Sequence, residues 1–222
     1  LDDGYQHWQL HRDLDVVLVD TLNMFGNGSI LPRGTLREPL KNLSRADLFL
    51  LTKCDQSSPI SRATLCDQLH RYKPNAPIVE SIHKPCAFIE IADWYKNDGS
   101  KALPLEALKG QEVMVFSAIG NPSSFEQTMA GEGLQIAEAI RYPDHHDYGM
   151  VEMQYIMERA ISKRVTALVT TGKDAVKIPT EFIYLHREVP LYVLDMEIQI
   201  TSGEEAFVKT ITTAIEKENK RQ

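Results

Sequence analysis

The run DVVLVD at 15–20 and its counterpart DLFLLT at 47–52 decide how this chain folds. Each sets an unbroken run of apolar residues between polar ends. A strand with one wet face alternates apolar and polar residues. These runs do not, so both are expected as strands covered on both faces in a parallel sheet. Between them lies FGNGSILPRGTLREP at 25–39, with three Gly and two Pro in fifteen residues, a loop of enforced turns. After the second run, Ser61 to Tyr72 has helical spacing with Leu65 and Leu69 on one face, and Ile78-Val79 opens a third strand. The stretch 93–110 is polar and contains Gly, and is expected as a surface excursion or a lobe boundary.

A second set of elements starts at Val113. A strand is expected at 113–117, a turn over Ala118 to Pro122, and a helix at 123–130 capped by Ser123 or Ser124. Another strand at 134–140 runs into the polar segment YPDHHDY at 142–148. Then come a helix at 151–162, strands at 166–170 and 191–194, and a charged helix at 203–220. Strands alternating with helices specify an α/β protein with an open, mostly parallel sheet. The expected division is 1–110 and 111–222.

Composition narrows the function. The chain has 222 residues, 43% of them hydrophobic and 25% charged, and a formal charge of −7. That balance argues against a broad nucleic-acid surface, which needs clustered Lys and Arg. Cys54, Cys66 and Cys86 are odd in number and far apart, which fits reduced thiols rather than a disulfide framework. No run approaches the roughly 20 apolar residues of a membrane-spanning helix. The opening residues Leu1-Asp2-Asp3-Gly4 read as the end of a strand, so the chain is expected to be an amino-terminal truncation.

Polar constellations sit at predicted strand ends, where open α/β sheets bind ligands. Asp2-Asp3-Gly4-Tyr5-Gln6-His7 comes first. In phosphate-loop enzymes an acid ending a core strand holds magnesium, and only one of two adjacent strand residues faces the phosphates. The second is the Gly/Pro loop. From Ile30 to Arg45, the four cations Arg33, Arg37, Lys41 and Arg45 face the single acid Glu38, giving +3 in a chain of −7. Such a reversal suits an anionic ligand, either a phosphorylated lipid or a membrane surface. Thr52-Lys53-Cys54-Asp55, the third, has the form of a base-holding motif, and also of a plain surface turn. The fourth pairs PDHHD at 143–147 with TGKD at 171–174. An Asp-supported His suits proton transfer better than two adjacent His suit one metal ion.

Together these segments resemble the tetraacyldisaccharide 4′-kinase family, the lipid A 4′-kinases of Gram-negative bacteria. The resemblance rests on DDGYQH at 2–7, RDLDVVLVD at 12–20, FGNGSILPRGTLREP at 25–39, GNP at 120–122, PDHH at 143–146 and KDAVK at 173–177. It implies a P-loop NTPase-like core with a smaller carboxy-terminal α/β lobe. It also implies transfer of the ATP γ-phosphate to the 4′-hydroxyl of a glycolipid, at the cytoplasmic face of the inner membrane. Neither a nucleic-acid nor a protein partner is implied. The family's nucleotide loop precedes the DDG motif, so the residues given are expected to be inactive by themselves. By resemblance Asp2 and Asp3 organise Mg2+, His145 supports catalysis, and Arg37 and Arg33 meet phosphate or substrate with Gln6 and His7. Thr52, Lys53, Asp55 and Lys173 are nucleotide-side candidates. Tyr5, Trp8, Thr35 and Gly172 depart from the pattern, which more often has Phe, a basic residue, Pro and Glu there. The competing expectations are a P-loop kinase of a small metabolite and an inactive binding module.

Overall fold

A computed structural model describes residues 4–97, 101–185 and 188–219. In chain order the strands and helices are β1 (Val16–Asp20), β2 (Leu48–Thr52), α1 (Pro59–Tyr72), β3 (Ile78–Glu90), α2 (Ile91–Tyr95), β4 (Leu103–Pro104), β5 (Glu112–Ser117), α3 (Pro122–Gly131), β6 (Gln135–Arg141), α4 (Met150–Lys163), β7 (Ala167–Thr171), α5 (Gly172–Ala175), α6 (Thr180–Leu185), β8 (Leu191–Ser202) and α7 (Glu204–Asn219). The sheet is mostly parallel and flanked by helices, as the alternation of elements requires; β1–β2, β2–β3, β5–β6, β5–β7 and β7–β8 pair in parallel, and the short β4 pairs antiparallel with β3.

The chain forms two compact units, residues 1–84 with 198–222 and residues 85–197. This differs from the expected division at 110. The strands β3 and β8 are both longer than their sequence signals, and each runs across a unit boundary. The carboxy-terminal segment therefore returns to the first unit, where Ile200 and Phe207 pack on Leu48, Leu50 and Val79.

In the first unit β1, β2 and β3 lie side by side in parallel, with Val16 opposite Leu48 and Leu50 opposite Val79. β2 is buried throughout. β1 is not: Leu18 is 60% exposed, against expectation, because among the described residues nothing packs over that face of the strand. Helix α1 starts cleanly, with Ser58 accepting from the Ser61 backbone N–H and Pro59 in the first turn. Its Leu65 and Leu69 are fully buried with Phe49 and Leu51. Gly203, between β8 and α7, takes φ +81°; a Cβ there would lie 3.0 Å from the Ile78 carbonyl oxygen.

In the second unit the order is β8-β7-β5-β6, all parallel. Met114 and Phe116 on one face of β5 pack with Met153, Ile156 and Phe182, while Val113 and Val115 on the other pack with Phe125 and Met129. The 93–110 stretch lies inside the second unit rather than at its boundary, and it runs mostly along the surface, anchored at Asp93 and Leu108. Ile91, Ala92 and Asp93 of α2 are buried, β4 pairs with β3, and Leu108 enters the core. The cap of α3 is Asn121 rather than a serine, its side chain accepting from Ser124 N–H.

Candidate functional site

In the first unit an open groove of about 920 Å³ runs beside β1 and the Gly/Pro loop. Gln6, Asp20 and Arg37 are among the residues that line it. Asp2 and Asp3 lie outside the described residues. The turn that follows them is clamped to the loop. Arg45 lies over the Tyr5 ring at 4.3 Å and the Trp8 ring at 4.4 Å. Its Nη2 donates to the Tyr5 carbonyl at 2.9 Å and to Glu38 Oε2 at 3.0 Å. Glu38 also accepts from Asn42 Nδ2 at 2.7 Å, and the Tyr5 hydroxyl donates to the Asn42 carbonyl at 2.6 Å. Burial pushes the Tyr5 phenol above its ordinary pKa, so it remains a donor at neutral pH. Two departures from the family pattern therefore have structural uses: the Tyr5 hydroxyl is bonded, and the Trp8 ring covers a cation.

The Gly/Pro loop is held by its own bonds. Asn27 Nδ2 donates to the Arg33 carbonyl at 2.9 Å, and Ser29 N–H donates to Asn27 Oδ1 at 3.1 Å. Across the loop, Leu31 N–H donates to Leu36 O and Leu36 N–H to Ser29 O. Gly34 is required here: a Cβ would sit 2.1 Å from both Asn27 Oδ1 and the Ser29 carbonyl oxygen. The loop presents Arg33 and Arg37 as exposed side chains; His7 and Gln6 are exposed as well.

The TKCD segment is a braced turn at the end of β2. Lys53 takes a left-handed conformation, φ 58°, and its Nζ lies 2.6 Å from Asp20 Oδ2 at the end of β1. The Thr21 hydroxyl sits between the carbonyls of Thr52 and Lys53, at 2.9 and 3.0 Å. Thr52 is buried and Asp55 exposed. Of this motif, Asp55 stands open to a ligand, whereas the Lys53 charge is neutralised by Asp20.

In the second unit the carboxyl ends of β5, β6 and β7 bring together the 118–122 turn, the PDHH loop and TGKD. Their junction is Asp174, which the sequence reading included in TGKD without giving it a role. It is fully buried. Its Oδ1 accepts from the Ala118 backbone N–H at 3.0 Å and the Tyr148 hydroxyl at 3.2 Å; its Oδ2 accepts from Thr171 Oγ1 at 2.7 Å. Burial pushes the Tyr148 phenol far above its ordinary pKa, reinforced by the Asp174 charge, so it stays a donor. The Thr-x-x-Asp spacing at 171–174 is a capping signature that could have drawn attention to Asp174. Nothing local announces its other two partners.

The two histidines differ sharply. His146 stacks on Tyr142 with ring centroids 4.6 Å apart, meets Tyr148 edge-on, and places Nε2 2.9 Å from Glu152 Oε1. His145 is at φ 65° with 90% of its side chain exposed, and its Nε2 lies 3.7 Å from Asp144 Oδ2. Asp144 in turn approaches the GNP turn, for a Cβ on Gly120 would be 3.4 Å from its Oδ2. His146 is thus built into the scaffold, and His145 is presented from it. Among the described residues no group of three or more His, Cys, Asp or Glu is placed to hold a metal. Lys173 is exposed, and Gly172 lies where a side chain would contact Trp94.

A family model described as tetraacyldisaccharide-1-P 4′-kinase matches residues 1–216. The chain belongs to this family. Tetraacyldisaccharide 4′-kinases of Halothermothrix orenii and Elusimicrobium minutum are 37% and 38% identical to it over 205 residues each. Those alignments cover 90% and 92% of this chain but 53% and 52% of the relatives, so the chain spans about half their length. A crystal structure of LpxK from Aquifex aeolicus in complex with ATP superimposes with a TM-score of 0.63 at 26% identity, over 96% of this chain and 56% of that one. The family's P-loop kinase-like fold accounts for the parallel strands and for the position of the motifs at their carboxyl ends.

Proposed function

We propose that the protein containing this chain transfers the γ-phosphate of ATP to the 4′-hydroxyl of a tetraacylated glucosamine disaccharide 1-phosphate, giving lipid IVA, at the cytoplasmic face of the inner membrane. The observation that carries this reading is the clamp of Arg45 and Glu38, which joins the turn after Asp2-Asp3 to the loop bearing Arg37. It sets the turn that follows the acidic motif, through Tyr5 and Gln6, and the basic loop beside one groove. The groove has the size of a small-ligand site, about 920 Å³. Among the described residues no helix is long and apolar enough to cross a membrane.

Adjacent carboxylates are the hard oxygen donors that Mg2+ takes, so Asp2 and Asp3 fit its binding. When bound, Mg-ATP supplies the phosphoryl group and spreads its developing charge. The chain's own residues position and deprotonate. Arg37 orients a phosphate through its planar fork. The 4′-oxygen forms a bond to the γ-phosphorus as the bond to the ADP oxygen breaks. The hydroxyl proton passes to a base that His145, backed by Asp144, either is or supports.

The test uses a protein that joins this chain to a nucleotide-binding loop. Phosphate transferred from ATP to the 4′ position of the disaccharide is the expected product, and none appearing there would refute the reading. Within that assay Arg37→Lys keeps the charge and loses the fork, so it is expected to impair activity nearly as much as Arg37→Ala. Most of the rate surviving in the Lys variant would reduce Arg37 to a source of positive potential.

A further inference from the structure

The tip of the Gly/Pro loop is apolar and wet. Ile30 is 42% exposed and Leu31 62% exposed, and Pro32 follows them. This is not the slack of a floppy loop. The bonds from Asn27 to Arg33 and between Leu31, Ser29 and Leu36 hold the backbone, and at Gly34 it passes so close to Asn27 and Ser29 that a side chain would not fit. The protein thus holds two aliphatic side chains outward on a fixed support.

Charge says what such a tip would meet. Leu18 on β1 is equally exposed, at 60%, but Asp15 and Asp20 close its strand on either side. Ile30 and Leu31 sit instead in the +3 segment. The clamp sets Arg45 against Glu38, while Arg33 and Lys41 of the same segment are exposed. At the base of the loop Trp8 is 64% exposed, with its indole N–H 3.5 Å from Glu38 Oε1. Aliphatic residues beside cations, with a Trp that has one polar edge, is the composition of a surface that lies in the headgroup region of a bilayer.

We propose that the Ile30–Leu31 tip is an interfacial anchor, entering the headgroup region of an anionic bilayer while Arg33 and Lys41 pair with lipid phosphates. The inference rests on the kinase reading for its purpose, bringing the site to a substrate dissolved in that bilayer, but its test does not use the reaction. Each basic residue near an anionic surface adds about 1 kcal/mol, roughly fivefold in partitioning. A buried Leu adds about 1.5–3 kcal/mol, roughly tenfold or more.

The chain is to be floated with vesicles of phosphatidylcholine plus an equal part of phosphatidylglycerol, and with phosphatidylcholine alone. Binding to the anionic vesicles only, weakened by salt, is expected. Leu31→Asp should lower it at least about tenfold, and Arg33→Glu at least about fivefold. Ile60→Asp, on the 80% exposed Ile60 of α1, should leave it unchanged. Because both loop residues are exposed, unchanged melting of the variants is expected and separates lost binding from lost folding. Release by millimolar inorganic phosphate would mean a free-phosphate site and overturn the anchor. So would absence of binding, or equal losses in Leu31→Asp and Ile60→Asp. Vesicle binding without transfer to the 4′-hydroxyl would instead sink the kinase reading and leave the anchor standing.

Discussion

Replacing His145 by Ala, in a protein that joins this chain to a nucleotide-binding loop, is expected to lower kcat at least about a hundredfold with little change in the KM for ATP. A sugar hydroxyl attacks slowly until something takes its proton, and assistance of that kind is worth about 10²–10⁴ in rate. His145 can reach a ligand: its side chain is 90% exposed on a loop whose Asp144 lies beside it. His146 is already committed to Tyr142 and Glu152. His146→Ala should therefore keep kcat within several-fold and appear in stability, costing about 1 kcal/mol through the lost ring contacts. Steady-state kinetics and urea melts of both variants check this. Equal losses of kcat at both positions, with zinc in the purified protein, would remove His145 from the mechanism.

Asp174→Ala is expected to destabilise the chain by about 3–5 kcal/mol, read from urea denaturation. The substitution strips partners from the Ala118 N–H, the Tyr148 hydroxyl and the Thr171 hydroxyl in a buried place, and each unsatisfied group costs about 1–3 kcal/mol. Asp174→Asn preserves shape and one acceptor oxygen, so it should recover part of the loss. Tyr148→Phe removes a single link and should cost about 1–2 kcal/mol. A loss below about 1 kcal/mol for the Ala variant would mean that the three loops hold together without Asp174.

The sequence by itself determined the elements whose causes are local. The apolar run at 48–52 is buried over its whole length, and the helix seen at 59–72 follows from Leu65, Leu69 and a Ser-Pro start. The glycines of the 25–39 loop announced turns, and the loop is indeed built of close backbone crossings. The candidate motifs were legible as strings, because paired acids, arginines in a Gly/Pro loop and an Asp-His pair are residue types that phosphoryl transfer would use at strand ends. What those strings do to one another was not legible. Leu18 reads like its neighbours and is 60% exposed, because what covers a strand's face is set by packing and not by the strand itself. The 93–110 stretch reads as polar and yet buries Asp93 and Leu108, since packing and not composition chose its path. The second half of β8 belongs with residues far earlier in the chain, through Ile200 and Phe207. Asp174 is the sharpest case. Its hydrogen-bond partners lie 56 and 26 residues away at Ala118 and Tyr148, so only closure of the parallel sheet turns an ordinary carboxylate into the joint of three loops. Propensity and turn chemistry act over a few residues, whereas burial and hydrogen-bond satisfaction depend on which distant residues the folded chain brings near.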